Sequence, residues 1–288
     1  MNQLNLFIEL TRLKKPIGYL LLFWPCVWGL TLIYDFTGSL NIYFYYLVLF
    51  FLGSVLMRSA GCIVNDILDR KFDKKVKRTK NRPIASGKIK VQIGFLYAFI
   101  LCLLAFLVLI NFNYFTIMIA LASMPLAFTY PLMKRFTYWP QLFLGITFNY
   151  GLILGWTSIS EQFGIVPIIF YIGAIFWTLG YDTIYGFQDI KDDEIIGVKS
   201  TSIKFKGTAK IFLILCYLLL ISSLVIGGLM MNFNSVYFIS ITIPIIHLFF
   251  YQINNFDSKN PASCLKIFKS NNYLGMIIFF NILVGRFF

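Results

Sequence analysis

The stretch "NDILDRKFD", from Asn65 to Asp73, follows directly on an apolar run of membrane length. At helical spacing Asn65, Asp69 and Asp73 are four residues apart, which places the three side chains on one side of a helix. Carboxylates at this spacing repel each other. The pattern therefore indicates that a positively charged group binds between them.

The chain of 288 residues is too apolar for a soluble domain, since 59% of it is hydrophobic and its mean hydropathy is +0.77. Apolar runs of membrane length recur along it, and each predicts a helix because lipid offers no partner to unpaired backbone groups. The runs cover residues 16–34, 41–62, 91–110, 112–129, 140–158, 163–185, 209–231, 235–252 and 271–287. We therefore predict an all-α, polytopic membrane protein with nine transmembrane helices, forming a single domain over residues 1–288.

Lysine and arginine residues concentrate in alternate loops. The loops near Asp35, Asn113, Glu161 and Asn232 carry none, and only Arg58 and Arg286 fall outside the alternation. Under the positive-inside rule this pattern predicts a cytoplasmic N-terminus. The net charge of +13 does not indicate nucleic-acid binding, because the basic residues border membrane spans and cannot form one continuous groove.

Several other polar or small residues favour structural roles. The five cysteines show neither paired nor metal-ligand spacing and are expected to pack as small apolar residues. His247 lies inside the eighth apolar run, where packing or hydrogen bonding is expected rather than catalysis. Gly151 and Gly155 form a small-residue pair that can pack helices within one subunit or between two.

A second acidic group, "YDTIYGFQDIKDDE", covers Tyr181 to Glu194 at the end of the sixth run. Asp182, Asp189 and Asp193 again fall at helical spacing, so a second acidic stripe is expected at the same membrane face. Two opposed acidic stripes need cations. Oxygen ligands without nearby histidine or thiolate suit Mg²⁺, which commonly shares its coordination with substrate phosphate. A diphosphate is therefore the predicted ligand.

Basic residues follow both acidic groups and are candidates to bind the phosphate oxygens. The diphosphate-binding candidates are Arg70, Arg78, Lys80, Arg82 and Lys199. The alternative, that such residues only set topology, is strongest for Lys74 and Lys75. Between the fourth and fifth runs, Lys134 and Arg135 are candidates to bind an anionic part of a substrate or to set orientation.

Arg58 shares the first stripe with Asn65 and Asp69 but lies deeper in the membrane. Charged groups inside a span are costly and by default mark function. The structural alternative is an ion pair between Arg58 and Asp66 or Asp69 that only holds helices together.

Six stretches distributed over nearly the whole chain resemble the UbiA superfamily of intramembrane prenyltransferases. They are "KPIGYLLLFWP", "MRSAGCIVND", "NDILDRKFDKKVKRTKNRP", "YPLMKRFTYWPQ", "YDTIYGFQDIKDDEIIGVKST" and "FKSNNYLG". The closest resemblance is to the bacterial 4-hydroxybenzoate polyprenyltransferases of ubiquinone synthesis. It implies helices around a central cavity that opens toward lipid. It also implies an active site at the cytoplasmic face of a bacterial inner membrane.

The resemblance also implies roles for residues. Its Mg²⁺ and diphosphate positions match Asn65, Asp69, Asp73, Asp189 and Asp193, so the four aspartates are the expected catalytic residues. Arg135 matches a basic residue linked to substrate binding. The implied reaction transfers a polyprenyl group from polyprenyl diphosphate to the ring carbon next to the phenol of 4-hydroxybenzoate.

For this reaction the expected aromatic-substrate and cation-stabilising residues are Arg135, Arg58, Tyr130, Tyr185 and Asp182. The two tyrosines offer ring faces to an allylic cation. Arg135 is the first candidate for binding the acceptor carboxylate and Arg58 the second. The final proton acceptor stays open between an aspartate, diphosphate and water.

Two alternatives remain from the sequence. One is a related prenyltransferase with another acceptor, such as protohaem, homogentisate, a naphthoate or a chlorophyll precursor. The other is an ion-coupled transporter, which predicts polar groups near the bilayer centre within an inverted repeat.

Overall fold

The computed structural model describes residues 3–287, and every regular element in that range is helical. The helices are α1 (Gln3–Thr11), α2 (Ile17–Ile33), α3 (Leu40–Leu68), α4 (Arg70–Asp73), α5 (Val91–Leu109), α6 (Tyr114–Thr129), α7 (Met133–Phe136), α8 (Pro140–Ser160), α9 (Ile165–Gly186), α10 (Ile190–Ile196), α11 (Thr201–Lys204), α12 (Ala209–Met230), α13 (Ser235–Ser240), α14 (Thr242–Ile245) and α15 (Pro261–Phe287). A 3₁₀ turn, Tyr130–Leu132, joins α6 to α7, and a π-helix, Ile246–Ile253, continues α14.

Eight helical segments between residues 3 and 287 are long and apolar enough to cross a membrane. Helix α2 is also apolar but shorter, with 17 residues. The structure confirms the predicted all-α architecture with many candidate spans. A total of nine spans and a cytoplasmic N-terminus remain predictions.

Helix α3 extends past the end of its apolar run. The run ends at residue 62, whereas the helix continues to Leu68. Asp69 caps α3 and α4 follows, yet the Asp69 amide still donates to the Asn65 carbonyl and the Asp73 amide to the Asp69 carbonyl, both at 2.8 Å. These bonds preserve the four-residue spacing across the break, so the acidic stripe keeps one direction.

Helices α2 and α8 pack backbone to backbone through glycines. A Cβ on Gly29 would lie 1.9 Å from the Leu152 carbonyl oxygen, and one on Gly155 would lie 2.2 Å from the Cys26 carbonyl oxygen. A Cβ on Gly151 would likewise lie 2.4 Å from the Cys26 sulfur. The glycine pair noted in the sequence therefore packs helices within one chain.

Buried amide side chains link α9, α12, the π-helix and α15. The Trp177 indole donates to Asn271 at 2.8 Å, and Gln252 donates to Asn271 at 3.1 Å and accepts from Tyr217 at 2.6 Å. His247 completes this network through its Nδ1, 3.2 Å from Gln252, which agrees with a hydrogen-bonding role. The five cysteines are all free, and four of them are buried, as expected for packing residues.

Candidate active site

A cavity of about 1250 Å³ lies where α3 and α9 end and where the loop after α4 folds back on the bundle. Twelve of the fifteen candidate residues line it: Arg58, Asn65, Asp69, Asp73, Arg78, Arg82, Tyr130, Asp182, Tyr185, Asp189, Asp193 and Lys199. The two acidic groups, separated by more than a hundred residues in sequence, thus meet in one cavity.

The three remaining candidates lie outside the cavity lining. Arg70 and Lys80 are exposed, because α4 begins just beyond Asp69 and the turn that follows directs Arg78 and Arg82, four residues apart, toward the acids instead. Arg135 is exposed at the rim, where it donates to the Leu68 carbonyl at 2.7 Å. The structure therefore does not bring Arg70 and Lys80 to the other candidates, whereas the Arg135 guanidinium lies 4.0 Å from Asp69 Oδ1 at the rim.

A buried ion-pair network holds the carboxylates of the first acidic group. Asp66, only 2% exposed, accepts from Arg12 at 2.5 Å and from Arg82 at 3.1 Å, and Arg82 also donates to Asp73 at 2.8 Å. The sequence reasoning missed Arg12 and treated Asp66 only as a structural partner of Arg58. The available signal was the position of Asp66 inside a membrane helix, where a carboxylate requires a cationic partner.

Basic side chains also lie between the two acidic groups. Lys134, on α7, pairs with Asp69. The Arg78 guanidinium binds both Asp189 oxygens, with its Nε 2.9 and 2.8 Å from them, and it also donates to the Tyr185 hydroxyl at 3.3 Å. These contacts relieve the repulsion that two facing acidic rows would otherwise suffer.

The chemistry of the donors fits a divalent metal. The Asp69 Oδ1 atom is buried without a hydrogen-bond partner, although the same carboxyl pairs with Lys134 through its other oxygen. Burial, and secondly the neighbouring Asp189, raises the pKa of Asp193 to about 6, and within residues 3–287 Asp193 joins no ion pair. The nearest cation to Asp69 Oδ1 is Arg135, 4.0 Å away and not hydrogen-bonded to it. Carboxylate oxygens that accept no hydrogen bond are available as ligands to Mg²⁺.

The described side chains do not meet at a single point where a metal ion could bind. Between residues 3 and 287, no three acidic, histidine or cysteine side chains are grouped closely enough to hold an ion. Asp69, Asp73 and Asp189 are each tied to an arginine or a lysine. Metal binding would therefore require some of these basic partners to exchange onto another anion.

Arg58 occupies the deeper part of the cavity. Its guanidinium carbon lies 5.2 Å from the centre of the Phe148 ring, and its Nε lies 2.7 Å from where a Cβ on Gly18 would be. The predicted alternative, a pair with Asp66 or Asp69, does not form, because those acids bind Arg12, Arg82 and Lys134. Within the described range Arg58 has no ion-pair partner, so its charge faces the cavity.

Aromatic rings occur at both ends of the cavity. Tyr130 packs edge-on against Phe148, with ring centres 6.4 Å apart, beside Arg58. The Tyr185 ring lies 4.4 Å from Phe268 and under the Arg78 guanidinium, 5.6 Å away. The two predicted tyrosines thus line the space between the deep arginine and the acidic groups.

A bundle of membrane-length helices that carries two acidic rows into one cavity defines a class of polytopic membrane protein with an acidic cavity at one end of the bundle. Residues 22–282 match the UbiA prenyltransferase family. The chain belongs to this family.

Curated relatives cover nearly the whole chain. The chain is 42% identical over 285 residues to 4-hydroxybenzoate geranyltransferase 2 of Lithospermum erythrorhizon, a match covering 98% of this chain and 91% of the relative. It is 43% identical over 281 residues to the mitochondrial 4-hydroxybenzoate polyprenyltransferase of Bos taurus, covering 97% of this chain and 75% of the relative.

Solved structures confirm the fold. A UbiA homologue from Aeropyrum pernix K1 matches with a TM-score of 0.76 at 21% identity, over 93% of this chain and 97% of that one. A UbiA homologue from Archaeoglobus fulgidus, bound to DMAPP and Mg²⁺, matches with a TM-score of 0.69 at 19% identity, over 96% and 98% of the two chains.

Proposed function

We propose that this protein is a Mg²⁺-dependent aromatic prenyltransferase of ubiquinone biosynthesis. It transfers a polyprenyl group from polyprenyl diphosphate to the ring carbon ortho to the hydroxyl of 4-hydroxybenzoate and releases diphosphate. The observation that carries the proposal is the cavity itself, whose lining includes both acidic groups and also Arg58, which lies about two helical turns before Asn65 along α3. The names of the relatives, at more than 40% identity, support the same acceptor.

The acidic end suits the diphosphate. The residues that would hold Mg²⁺ are Asn65, Asp69, Asp73, Asp189 and Asp193. When bound, the metal would neutralise charge on the departing diphosphate. Arg78 and Arg82 now bind carboxylates in this cavity, and both can donate paired hydrogen bonds to phosphate oxygens once those carboxylates have another partner.

Lys199 extends the basic surface toward α7. Its side chain donates to the Phe136 carbonyl at 3.1 Å and its backbone amide to the Lys134 carbonyl at 2.9 Å. These contacts position Lys199 and Lys134 together at the cavity wall, where their ammonium groups can act on the same anion.

The aromatic residues suit the electron-poor allylic carbon. As the bond to diphosphate breaks, positive charge grows on that carbon, and a ring face stabilises such charge without forming a bond. Tyr185 adjoins Asp189 through Arg78, and Tyr130 adjoins Arg58 through Phe148. The two rings therefore lie toward the leaving group and the acceptor respectively.

Arg58 is the proposed partner of the acceptor carboxylate. The sequence favoured Arg135, but that side chain is exposed at the rim and hydrogen-bonded to the Leu68 carbonyl. Arg58 lines the cavity, has no anionic partner in the described range and lies beside an aromatic face. A guanidinium in this setting binds a carboxylate through two parallel hydrogen bonds.

A panel of acceptors tests the proposal. Purified protein in liposomes receives geranyl diphosphate, Mg²⁺ and one acceptor at a time, with products identified by mass spectrometry. 4-Hydroxybenzoate is expected to be prenylated faster than 4-hydroxybenzamide, homogentisate or a dihydroxynaphthoate. Arg58→Gln is expected to remove the preference for the carboxylate over the amide, while Arg135→Gln keeps it.

Other outcomes would support the alternatives. Faster prenylation of homogentisate, a naphthoate or protohaem would replace the acceptor but keep the enzyme class. Ion-coupled uptake into vesicles without any release of diphosphate would support a transporter. A bacterial inner-membrane location remains a prediction, since the bovine relative is named as mitochondrial.

A further inference from the structure

Asp182 is a membrane-embedded carboxylate that the ion-pair networks leave out. It lies on α9, one turn before the helix ends at Gly186, and lines the cavity. Within residues 3–287 it accepts no hydrogen bond and joins no ion pair. An ionisable group kept at such a position is costly, so its retention indicates a function.

The other carboxylates that line the cavity are Glu9, Asp66, Asp69, Asp73, Asp189 and Asp193. Four of these bind an arginine or a lysine, and Asp193 follows Asp189 at the diphosphate end. Glu9 is exposed on α1. Asp182 is therefore the cavity carboxylate that has no ion-pair partner among residues 3–287 and that lies on α9, before the helix end that leads to Asp189.

Arg58 and Asp182 together mark the acceptor end. Both line the cavity, Arg58 on α3, seven residues before Asn65, and Asp182 on α9, seven residues before Asp189, and within residues 3–287 they form no direct ion pair. Along α3, the separation of Arg58 from Asn65 is roughly 10 Å at the helical rise. An aromatic ring held by its carboxylate on Arg58 therefore spans part of this distance, with its far edge toward the acids.

We infer that Asp182 receives the proton that the acceptor ring loses, an inference that rests on the proposed function. The ring carbon ortho to the hydroxyl forms a bond to the allylic carbon, while the allylic C–O bond breaks and its electron pair leaves with diphosphate. The electron pair of the ortho C–H bond then returns to the ring, and the proton passes to an Asp182 oxygen. Diphosphate, held by the acids at the other end of the cavity, is the more distant acceptor.

The inference is tested with 4-hydroxybenzoate that carries deuterium at one of its two ortho positions, and with geranyl diphosphate as donor. In the unmodified protein proton loss is fast, so the product keeps the deuterium in half of the molecules. In Asp182→Asn, kcat is expected to fall by ~100-fold or more, the usual contribution of a general base. Slow proton loss then allows the new carbon–carbon bond to reopen, and deuterium retention rises above one half.

Two further variants separate chemistry from structure. Asp182→Glu keeps a carboxylate and is expected to be at least about tenfold faster than Asp182→Asn, with retention near one half. Asp257→Asn, in the exposed loop before α15, removes a carboxylate far from the cavity lining and is expected to leave both kcat and retention unchanged. A slower Asp182→Asn with retention still at one half would overturn the inference, as would an unchanged kcat.

If Asp182→Asn forms no measurable product, a second measurement decides. Geranyl diphosphate labelled with ¹⁸O at the bridging position scrambles its label whenever the C–O bond breaks and re-forms. Scrambling that persists in the variant supports a role after bond cleavage, and its loss overturns the inference. An unmodified protein that prenylates no 4-hydroxybenzoate would instead refute the proposed function.

Discussion

Arg78 and Lys80 are two residues apart, yet the structure gives their side chains different surroundings. Arg78 lines the cavity and binds Asp189, whereas Lys80 is exposed and outside the lining. A charge-assisted hydrogen bond contributes about 1.5–3 kcal/mol, or roughly 10- to 100-fold in binding. We therefore expect Arg78→Gln to raise the KM for polyprenyl diphosphate by about tenfold or more, and Lys80→Gln to change it by less than about twofold. Steady-state kinetics in liposomes measures both, and an equal effect of the two substitutions would contradict the placement.

The carboxylates proposed to hold Mg²⁺ are expected to be essential for turnover but not for folding. Asp69→Ala and Asp189→Ala each remove an oxygen ligand, and we expect either to lower kcat by ~100-fold or more, as loss of charge stabilisation at the leaving group does. Their partners Lys134 and Arg78 have side chains 25% and 40% exposed, so each cation can reach solvent once its acid is gone. The melting temperature of each variant in detergent should therefore stay close to that of the unmodified protein. EDTA should abolish catalytic turnover by the unmodified protein.

Retained activity in either aspartate variant would contradict the metal assignment.

Arg12 and Asp66 show why the residues of the site could not all be identified from the sequence. The acidic spacing was visible, but ion-pair partners depend on which helix ends meet, and Arg12 precedes Asp66 by 54 residues. Arg135 illustrates the converse, since its basic character was visible and its exposure was not.

Contact between α2 and α8 depends on glycine at positions where any side chain would meet backbone. We expect Gly29→Ala to lower the free energy of unfolding by about 3 kcal/mol, the upper end of the range for overpacking, because its Cβ would lie 1.9 Å from the Leu152 carbonyl oxygen. Gly53→Ala, on α3, is the matched control because a Cβ there meets no atom within 4 Å. It should be neutral or stabilising by roughly 0.5–1 kcal/mol. Melting in detergent compares the two, and equal stability would contradict the close approach.

Hydropathy located the helices but not all of their ends. The apolar run that predicted α15 begins at residue 271, whereas the helix begins at Pro261, and α3 likewise continues six residues beyond its run. In both cases polar residues interrupt the apolar run before the helix ends, Asn65 and Asp66 in α3 and Lys266 and Lys269 in α15, so a rule based on continuous hydropathy stops short of them. The short helix α1 was not predicted, since it has no membrane-length apolar run. The π-helix lies almost wholly inside the predicted run 235–252, and hydropathy does not distinguish it from an α-helix.

The two ends of the bundle differ in charge. At the end opposite the cavity, Asn113 donates to the Thr157 carbonyl at 2.9 Å, and Arg286 donates to the Tyr34 carbonyl at 2.7 Å. These contacts hold loops that lack lysine and arginine at one end of the bundle. Arg286 lies at the same end. The cavity end carries the basic loops, so the alternation read from the sequence corresponds to a real separation in space.

This separation predicts which loops reach the cytoplasm. Anionic lipid and the positive-inside rule favour the basic end on the cytoplasmic side, which would place the cavity there. In a variant whose five free cysteines are replaced, Lys88→Cys and Gln162→Cys each add one exposed thiol, at opposite ends. With a membrane-impermeant maleimide on intact bacterial cells that express the variants, Gln162→Cys should be labelled, and Lys88→Cys only after permeabilisation. The reverse pattern would place both acidic groups on the outer face, where the proposed diphosphate site could not draw on cytoplasmic substrate.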